Sequence, residues 1–325
     1  MKIIFRVDAN NVSGFGHFSR CLNLCRTWKT FAPAIEAEFL GNYEEFAIKT
    51  LQTYRIAYTT LESPDFSTLL SQSTSKPDFA VFDSYLISQS QLDQLASYNF
   101  KSLIVDDSCT LNFEGIFGVL NFRLDANNLY RYNAKHSFLG IEFLVVKPEI
   151  VKLRAERRIL NDKAESLLLF TGGMLSGTRI LSTIVDCIRE ISAEIKIIHI
   201  GHVRLGRTDN YYHFFPNPHI EKYLAECDVA LNTGGLMKYE SSFSLVPTAS
   251  FSTTPLQLYD SKILGARGIH YDLGDVESAS ARNAPPLLAD ILLRKECRSQ
   301  LVQNSRSYYH DNPTLHLVKQ IEKVL

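Results

Sequence analysis

The amino-terminal loop Ser13-Gly14-Phe15-Gly16-His17 holds the residues best suited to chemistry. Gly14 and Gly16 allow the backbone to turn sharply and to approach a ligand, because no Cβ atom stands in the way. His17 falls at the start of a predicted helix, where unpaired backbone N–H groups favour a neutral imidazole over a charged one. Such an imidazole can take a proton from water or from a hydroxyl group. The same spacing also fits an ordinary strand-to-helix turn with an incidental histidine.

A second group of polar residues follows predicted strands further along the chain. Asp83, Asp106, Asp107 and Asn121 each stand at the carboxyl end of an apolar run, and Tyr85 comes just after the first of them. Each acid alone fits a helix cap or a turn former. In open parallel sheets, however, ligands bind at the carboxyl ends of the strands. The joint placement therefore predicts a ligand site that includes His17.

The elements that must position these residues alternate between strand and helix. Residues 2–7 form an apolar run of β-formers, and apolar residues then recur at helical spacing between Phe18 and Trp28. The alternation breaks around residues 147–149 and restarts at 166–170. It predicts an α/β protein with two doubly wound parallel sheets. We place one domain at residues 1–150, carrying the histidine loop, and a second at 151–325, closed by C-terminal helices.

The second half contains two glycine loops, Thr171-Gly172-Gly173 and Asn232-Thr233-Gly234-Gly235. Glycines let backbone amides face an anion, and a following helix adds positive potential, so these loops suit a diphosphate. Glu240, on the helix after the second loop, is placed to accept hydrogen bonds from a ribose diol, although a solvated helix carboxylate would look the same.

Other phosphate-binding classes fit the loops poorly. Neither loop of the second half ends in the lysine and hydroxyl residue of a Walker motif, which disfavours a kinase or an ATPase. The first loop lacks a full G-x-G-x-x-G, because Arg20 occupies the position where a small residue brings helix and strand together. A nicotinamide-dependent dehydrogenase is therefore disfavoured as well.

Composition limits the partners. The chain has 325 residues with 34 Lys plus Arg against 35 Asp plus Glu, so no overall basic field calls for nucleic acid. No apolar stretch approaches the roughly 20 residues of a membrane span, and the start lacks a secretory apolar region. We expect a cytoplasmic protein. The six cysteines lack the paired spacing of a zinc site, so we expect reduced thiols, no metal and no cofactor.

The segment Gly14-Phe15-Gly16-His17-Phe18-Ser19-Arg20-Cys21-Leu22 resembles the G-x-G-H-x-x-R-(C)-L opening of a known enzyme family. That family is the UDP-2,4-diacetamido-2,4,6-trideoxy-β-L-altropyranose hydrolases of pseudaminic acid biosynthesis, members of the GT-B superfamily. Later segments, in the family's order and within roughly residues 1–275, are similar to its motifs: Asp83-Ser84-Tyr85, Asp106-Asp107, Leu120-Asn121, Thr171-Gly172-Gly173, and Gly234-Gly235 with Glu240. Ser84 stands where the family has histidine, and only Gln257 matches its Asn-Gln pair.

The resemblance implies a GT-B fold, in which two Rossmann-like domains face each other across a cleft that holds a UDP-sugar. His17 would activate a water that attacks the anomeric carbon, expelling UDP with inversion at C1. The implied substrate contacts are Gly14, Gly16, Arg20, Asp83, Tyr85 and Asn121. The implied nucleotide contacts are Gly172, Gly173, Thr233, Gly234, Gly235, Glu240 and Gln257.

The leading hypothesis is therefore a nucleotide-sugar hydrolase that releases UDP from a deoxy amino sugar, for nonulosonic acid or surface polysaccharide synthesis. One alternative is a GT-B glycosyltransferase, and another is a GT-B subunit that binds a nucleotide sugar without turnover. Because water and an acceptor hydroxyl need similar bases, His17 does not separate the first two. The sequence leaves open the sugar, the nucleobase and the oligomeric state.

Overall fold

The computed structural model describes residues 1–10, 13–61, 76–98, 100–156, 160–172, 178–206, 209–215, 219–276 and 284–325. The chain divides into two compact units. Unit 1 comprises Met1–Pro148 together with His310–Leu325, and unit 2 comprises Glu149–Tyr309. Each unit is built on its own parallel sheet.

Unit 1 contains a parallel sheet of seven described strands in the order β3-β2-β1-β4-β5-β6-β7. The strands are β1 (Lys2–Arg6), β2 (Glu36–Gly41), β3 (Ala57–Thr60), β4 (Phe79–Asp83), β5 (Lys101–Val105), β6 (Gly118–Asn121) and β7 (His136–Leu139). The helices are α1 (Gly16–Phe31), α2 (Glu45–Thr53), α3 (Gln89–Ser97), α4 (Ala126–Leu129) and a 3₁₀ turn at Ile141–Phe143. Every residue of β4 is buried, as expected for a parallel strand covered on both faces.

Unit 2 contains a parallel sheet of six described strands in the order β10-β9-β8-β11-β12-β13. The strands are β8 (Ser166–Gly172), β9 (Lys196–Gly201), β10 (Tyr211–Phe214), β11 (Val229–Thr233), β12 (Thr248–Ser252) and β13 (Tyr271–Asp275). The helices are α5 (Pro148–Glu156, which starts at the boundary), α6 (Thr178–Ile191), α7 (Ile220–Glu226), α8 (Met237–Phe243), α9 (Pro255–Ala266), α10 (Ala284–Leu293) and α11 (Lys295–Tyr308). The predicted pair of doubly wound parallel sheets is confirmed.

The last helix, α12 (Pro313–Val324), belongs to unit 1. It packs on α1, and Trp28 Nε1 donates a hydrogen bond of 2.5 Å to Glu322 Oε1. Leu317, Val318 and Ile321 form its buried face. The placement of residues 310–325 in the second domain is therefore corrected. Helical periodicity identifies an apolar face, but it does not say which sheet that face covers.

Three strands differ from the sequence-based expectation. β7 and β10 were not predicted, because both are four-residue edge strands that mix polar and apolar residues. The segment Gly268-Ile269-His270-Tyr271 continues the alternation of the sequence and predicts a strand, but the strand runs instead over β13. Gly268 adopts a φ of +64° and ends α9, so the chain reaches the sheet three residues later than its apolar residues suggest.

Candidate active site

His17 is the second residue of α1, and its imidazole contacts Asp83 at the end of β4. The distance from His17 Nδ1 to Asp83 Oδ1 is 2.6 Å. The two meet because β1, which leads into α1, lies beside β4 in the sheet. In parallel strands the carboxyl ends share one edge, so the start of α1 and the end of β4 come together there.

Arg20 fixes the Asp83 carboxylate from the other side. Its Nε donates to Asp83 Oδ2 and its Nη2 to Asp83 Oδ1, both at 2.6 Å. Arg20 and Asp83 are 5% and 1% exposed, and the guanidinium lies 5.1 Å from the centre of the Phe122 ring. This two-point geometry is the one in which arginine recognises a carboxylate most strongly.

The ionised Asp83 carboxylate determines which nitrogen of the His17 imidazole is available to accept a proton. Burial acts to raise the pKa of the Asp83 carboxyl, but the opposing effects of Arg20 and His17 hold that pKa well below its usual range. An ionised carboxylate only accepts hydrogen bonds, so the short contact requires the proton on His17 Nδ1. In the neutral ring, Nε2 then keeps its lone pair. A histidine held in this tautomer is suited to act as a general base.

Asp83 and Arg20 were predicted as substrate contacts, and the structure gives them a different place. Both side chains are buried and are engaged with each other and with His17. Asp83 orients the imidazole, and Arg20 orients Asp83. The spacing could not show this, because 66 residues separate His17 from Asp83.

Tyr85 borders the histidine on its exposed side. Its ring lies edge-on to the imidazole, with 4.5 Å between the ring centres. The hydroxyl donates to Asp107 Oδ2 at 2.9 Å, although the residue is 69% exposed. The structure thus brings Tyr85 to His17, as a substrate contact would require, and it adds Asp107 as the group that holds it.

Asn121 lies below the surface rather than on it. It is fully buried, its Nδ2 donates to Tyr132 Oη at 3.0 Å, and its Oδ1 accepts from the backbone N–H of Arg123 at 3.2 Å. Because both ends of the amide are engaged, we withdraw its expected role as a sugar contact. Asp106 has a similar structural role, accepting from the backbone N–H groups of Ser108 and Cys109 and from the Tyr132 hydroxyl.

The loop before α1 has the open backbone that its glycines predict. Gly14 adopts a φ of +72°, a conformation that favours glycine, and its N–H donates to the Asn10 carbonyl at 2.8 Å. A Cβ atom at Gly14 or Gly16 would meet no protein atom within 4 Å in the described structure. Phe15, which precedes α1, provides no side-chain cap. Among the described residues, the space beside these two glycines is open.

In unit 2, the loop after β11 brings three predicted residues together. Gly234 and Gly235 have φ values of +60° and +64° and lead into α8. The side chain of Gln257, on α9, occupies the space that a Cβ on Gly234 would need. Its Oε1 accepts from the Thr253 N–H at 2.9 Å and from the Thr253 hydroxyl at 2.8 Å. Gln257 and Gly234 therefore form one local structure.

The remaining nucleotide candidates lie around the same sheet edge. Thr233 ends β11, and Glu240 stands partly exposed in the first turn of α8. Gly172 ends β8 with a φ of +55°, whereas Gly173 lies outside the described residues.

Asn232, one residue before Thr233, was not predicted as a site residue. It is fully buried, and within the described ranges neither atom of its amide has a hydrogen-bond partner. An unpaired buried amide costs about 1–3 kcal/mol, so its presence calls for an explanation other than packing.

His199 contacts Thr171, the first residue of the glycine loop at the end of β8. It is fully buried, with Nε2 3.0 Å from the Thr171 hydroxyl and Nδ1 2.6 Å from the Tyr211 hydroxyl. Burial, with the nearby His213, lowers the pKa of His199 to about 4. Its neutral ring can therefore bridge β8 and β10 at neutral pH.

Two further observations concern metal sites and membrane-spanning helices. Across the described ranges, no three or more His, Cys, Asp or Glu side chains gather as candidate metal ligands. None of the helices in those ranges combines the length and the apolar character that crossing a bilayer demands.

No protein-family model and no curated protein matches the chain. Solved structures do. MurG of Acinetobacter baumannii superposes with a TM-score of 0.68 at 12% identity, over 99% of this chain and 100% of that one. Medicago truncatula UGT71G1, complexed with UDP-glucose, gives 0.67 at 11% identity, over 99% and 98%. Arabidopsis thaliana UGT89C1, complexed with quercetin, gives 0.70 at 10% identity, over 100% and 99%. The chain therefore has the GT-B fold of these glycosyltransferases.

Proposed function

We propose that this protein is a nucleotide-sugar-dependent glycosyltransferase in which His17 is the general base. His17 Nε2 takes the proton of an acceptor hydroxyl, and the acceptor oxygen forms a bond to the anomeric carbon. The bond from that carbon to the diphosphate breaks, and the nucleoside diphosphate leaves with the electron pair. The observation that carries the proposal is the contact of 2.6 Å between His17 Nδ1 and Asp83.

Asp83 gives this base its strength. It holds the tautomer with Nε2 unprotonated, and it stabilises the imidazolium that forms when the proton is taken. Because Arg20 binds both carboxylate oxygens, Asp83 cannot rotate away from the imidazole without losing two charged hydrogen bonds. Tyr85, edge-on to the ring, limits the directions from which an acceptor reaches Nε2.

The nucleotide belongs, in this proposal, to the loop between β11 and α8. The positive φ values of Gly234 and Gly235 leave backbone amides near the start of α8, where they can receive a diphosphate. Glu240 is proposed to bind the ribose. The unpaired Asn232 amide supports a polar function at this strand end, since a residue that only packed would be apolar. One GT-B neighbour contains UDP-glucose, and another, SsfS6, contains thymidine diphosphate.

Hydrolysis of a UDP-sugar is the second candidate, because the segment from Gly14 to Leu22 resembles the opening of the hydrolase family described above. Water would then replace the acceptor hydroxyl, with the same proton transfer to His17. The structural neighbours favour transfer, since they are glycosyltransferases.

The deciding experiment incubates the protein with UDP- and TDP-sugars, including deoxy amino sugars, and measures nucleoside diphosphate release with and without a panel of acceptor alcohols. Release that requires an acceptor supports transfer, and release in water alone supports hydrolysis. Tight nucleotide binding with no release under either condition contradicts both and supports a binding subunit. For either reaction we expect His17→Ala to abolish release and His136→Ala, on the edge strand β7, to leave it unchanged.

A further inference from the structure

A lysine is buried beneath the proposed nucleotide loop. Lys238, the second residue of α8, is 1% exposed. Its Nζ lies 3.2 Å from Asp260 Oδ2, donates to the backbone carbonyl of Gln257 at 3.1 Å, and donates to the Ser261 hydroxyl at 3.4 Å. These three groups are all on α9. The cation therefore joins the helix that follows the glycine loop to the helix that carries Gln257.

Asp260, the carboxylate partner of Lys238, is also buried. Asp260 is 7% exposed, and its Oδ2 accepts a hydrogen bond of 2.5 Å from the hydroxyl of Tyr239, the neighbour of Lys238 on α8. Two consecutive residues of α8 thus reach one carboxylate on α9. The orientation of α8 relative to α9 is fixed by charged hydrogen bonds as well as by packing.

Gln257 connects this buried pair to the loop. Its backbone carbonyl accepts from Lys238, while its side chain lies against Gly234 and binds Thr253. A shift of α9 would move this carbonyl and carry the Gln257 side chain with it. Lys238 therefore sets the position of the residue that packs directly against the proposed diphosphate loop.

Stability alone does not account for the lysine. The cost of removing two charges from water offsets most of their attraction, and apolar residues of similar size often replace a buried ion pair without loss of stability. A methionine could fill this space, but it could not donate to the Gln257 carbonyl. The lysine, unlike a methionine, therefore ties α8 to the Gln257 carbonyl by a hydrogen bond.

We infer that Lys238 is a positioning residue for nucleotide binding: through its hydrogen bond to Gln257, it holds the Gly234-Gly235 loop in the conformation that receives the diphosphate. This inference rests on the proposed function. It deepens that proposal by naming a residue which touches neither substrate nor nucleotide.

The test compares two buried substitutions on α8. Lys238→Met removes the bond to Gln257 at similar side-chain size. Ser242→Ala is the matched control, because it also removes a buried hydrogen-bonding group from α8. Ser242 Oγ donates to the Lys238 carbonyl and lies 2.7 Å from the Tyr309 hydroxyl, and neither of these contacts involves Gln257. UDP and TDP affinities are measured by calorimetry, and unfolding is followed in urea.

We expect K238M to weaken binding of the preferred diphosphate about tenfold, with kcat at saturation within about twofold of wild type. We expect S242A to lose stability while binding changes by less than twofold.

The outcomes are distinguishable. Wild-type affinity in folded K238M, or equal weakening in S242A, overturns the role of Lys238 and leaves the proposed function standing. A wild-type protein that binds neither diphosphate contradicts both. If K238M does not fold, the double variant K238M/D260L, which leaves no unpaired carboxylate, is used in its place. It must show the same tenfold loss, and wild-type affinity in that variant also overturns the inference.

Discussion

The His17 imidazole owes its position to two side chains that are themselves buried. Asp83 contacts Nδ1, and Arg20 binds both oxygens of Asp83. Without Arg20, Asp83 would be a buried and poorly compensated anion. Without Asp83, His17 would lose its defined tautomer. At the scale of single residues, the three side chains act as one group.

The substitution Asp83→Asn tests this group. Asparagine keeps the shape but removes the charge that orients and stabilises the imidazolium, so we expect turnover to fall by about 10²–10⁴-fold. Arg20 would also be left buried without its counter-charge, so unfolding in urea should show a loss of about 3–5 kcal/mol.

Asp106→Asn provides the control for Asp83→Asn. Asp106 accepts hydrogen bonds within its own turn, a role that asparagine can take over, so turnover should stay within about threefold of wild type. A D83N protein with nearly normal turnover would remove Asp83, and the tautomer it enforces, from the mechanism.

At the scale of elements, each proposed site is formed where strands end and helices begin. The loop from β11 to α8 depends on two adjacent glycines with positive φ, but their surroundings differ. A side chain at Gly234 would overlap Gln257, whereas one at Gly235 would meet no described protein atom within 4 Å. Comparing alanine substitutions at the two positions therefore separates the cost of backbone strain from the cost of lost side-chain contacts.

We expect Gly235→Ala to cost about 1–2 kcal/mol of stability, the strain of a left-handed alanine. Gly234→Ala should cost a further 1–3 kcal/mol or so, because Gln257 must give up its hydrogen bonds to Thr253. Urea unfolding measures both variants. Equal losses would show that Gln257 moves aside freely, and that its contact with Gly234 is incidental.

His199, which links β8 to β10 through Thr171 and Tyr211, predicts a pH dependence of stability. Its pKa is about 4 in the folded protein, below the ordinary value of 6.5. Between these values the unfolded chain binds a proton that the folded protein does not, so the free energy of unfolding decreases as the pH falls from 6.5 to 4. The contribution lost is about 2–3 kcal/mol, from about 1.4 kcal/mol per pH unit.

The variant His199→Gln retains hydrogen-bonding capacity without titrating. Urea unfolding at several pH values should therefore show a shallower pH dependence in this window than for wild type. A wild-type slope in H199Q would assign the proton uptake to other groups.

The sequence predicts the elements of both sites better than their contacts. Loops rich in glycine between an apolar run and a helical pattern are local signals, and Gly14, Gly234 and the start of α1 were found from them. The pairing of His17 with Asp83 depends on β1 and β4 being neighbours in the sheet, which no local pattern states. Lys238 was missed for a related reason, because a lysine on a helix is ordinarily solvated and its carboxylate partner lies on another helix.

At the scale of the whole molecule, unit 1 is made from two separate stretches of the chain. Its single tryptophan, Trp28, is buried in α1 and donates to Glu322 of α12. The apolar residues that α12 buries give unit 1 part of its core. Trp28 is therefore a built-in reporter of whether α12 is in place.

Removing residues 310–325 should uncover the α1 surface around Trp28. We expect a red-shifted tryptophan emission in the native state and a clear loss of stability, because the buried face of α12 is lost. Leu288→Ala, which creates a cavity in α10 of unit 2, serves as the control and should leave the emission maximum in place. An unchanged emission after the truncation would show that α12 does not cover Trp28 in solution.

The return of the chain to unit 1 also sets an order of events during synthesis. Residues Glu149–Tyr309 form a continuous stretch that can fold as soon as it leaves the ribosome, whereas the nascent first unit must wait for α12. At roughly 5–20 residues per second, that wait lasts on the order of ten to thirty seconds. During this interval the apolar side of α1, the helix that presents His17, is uncovered and open to chaperones.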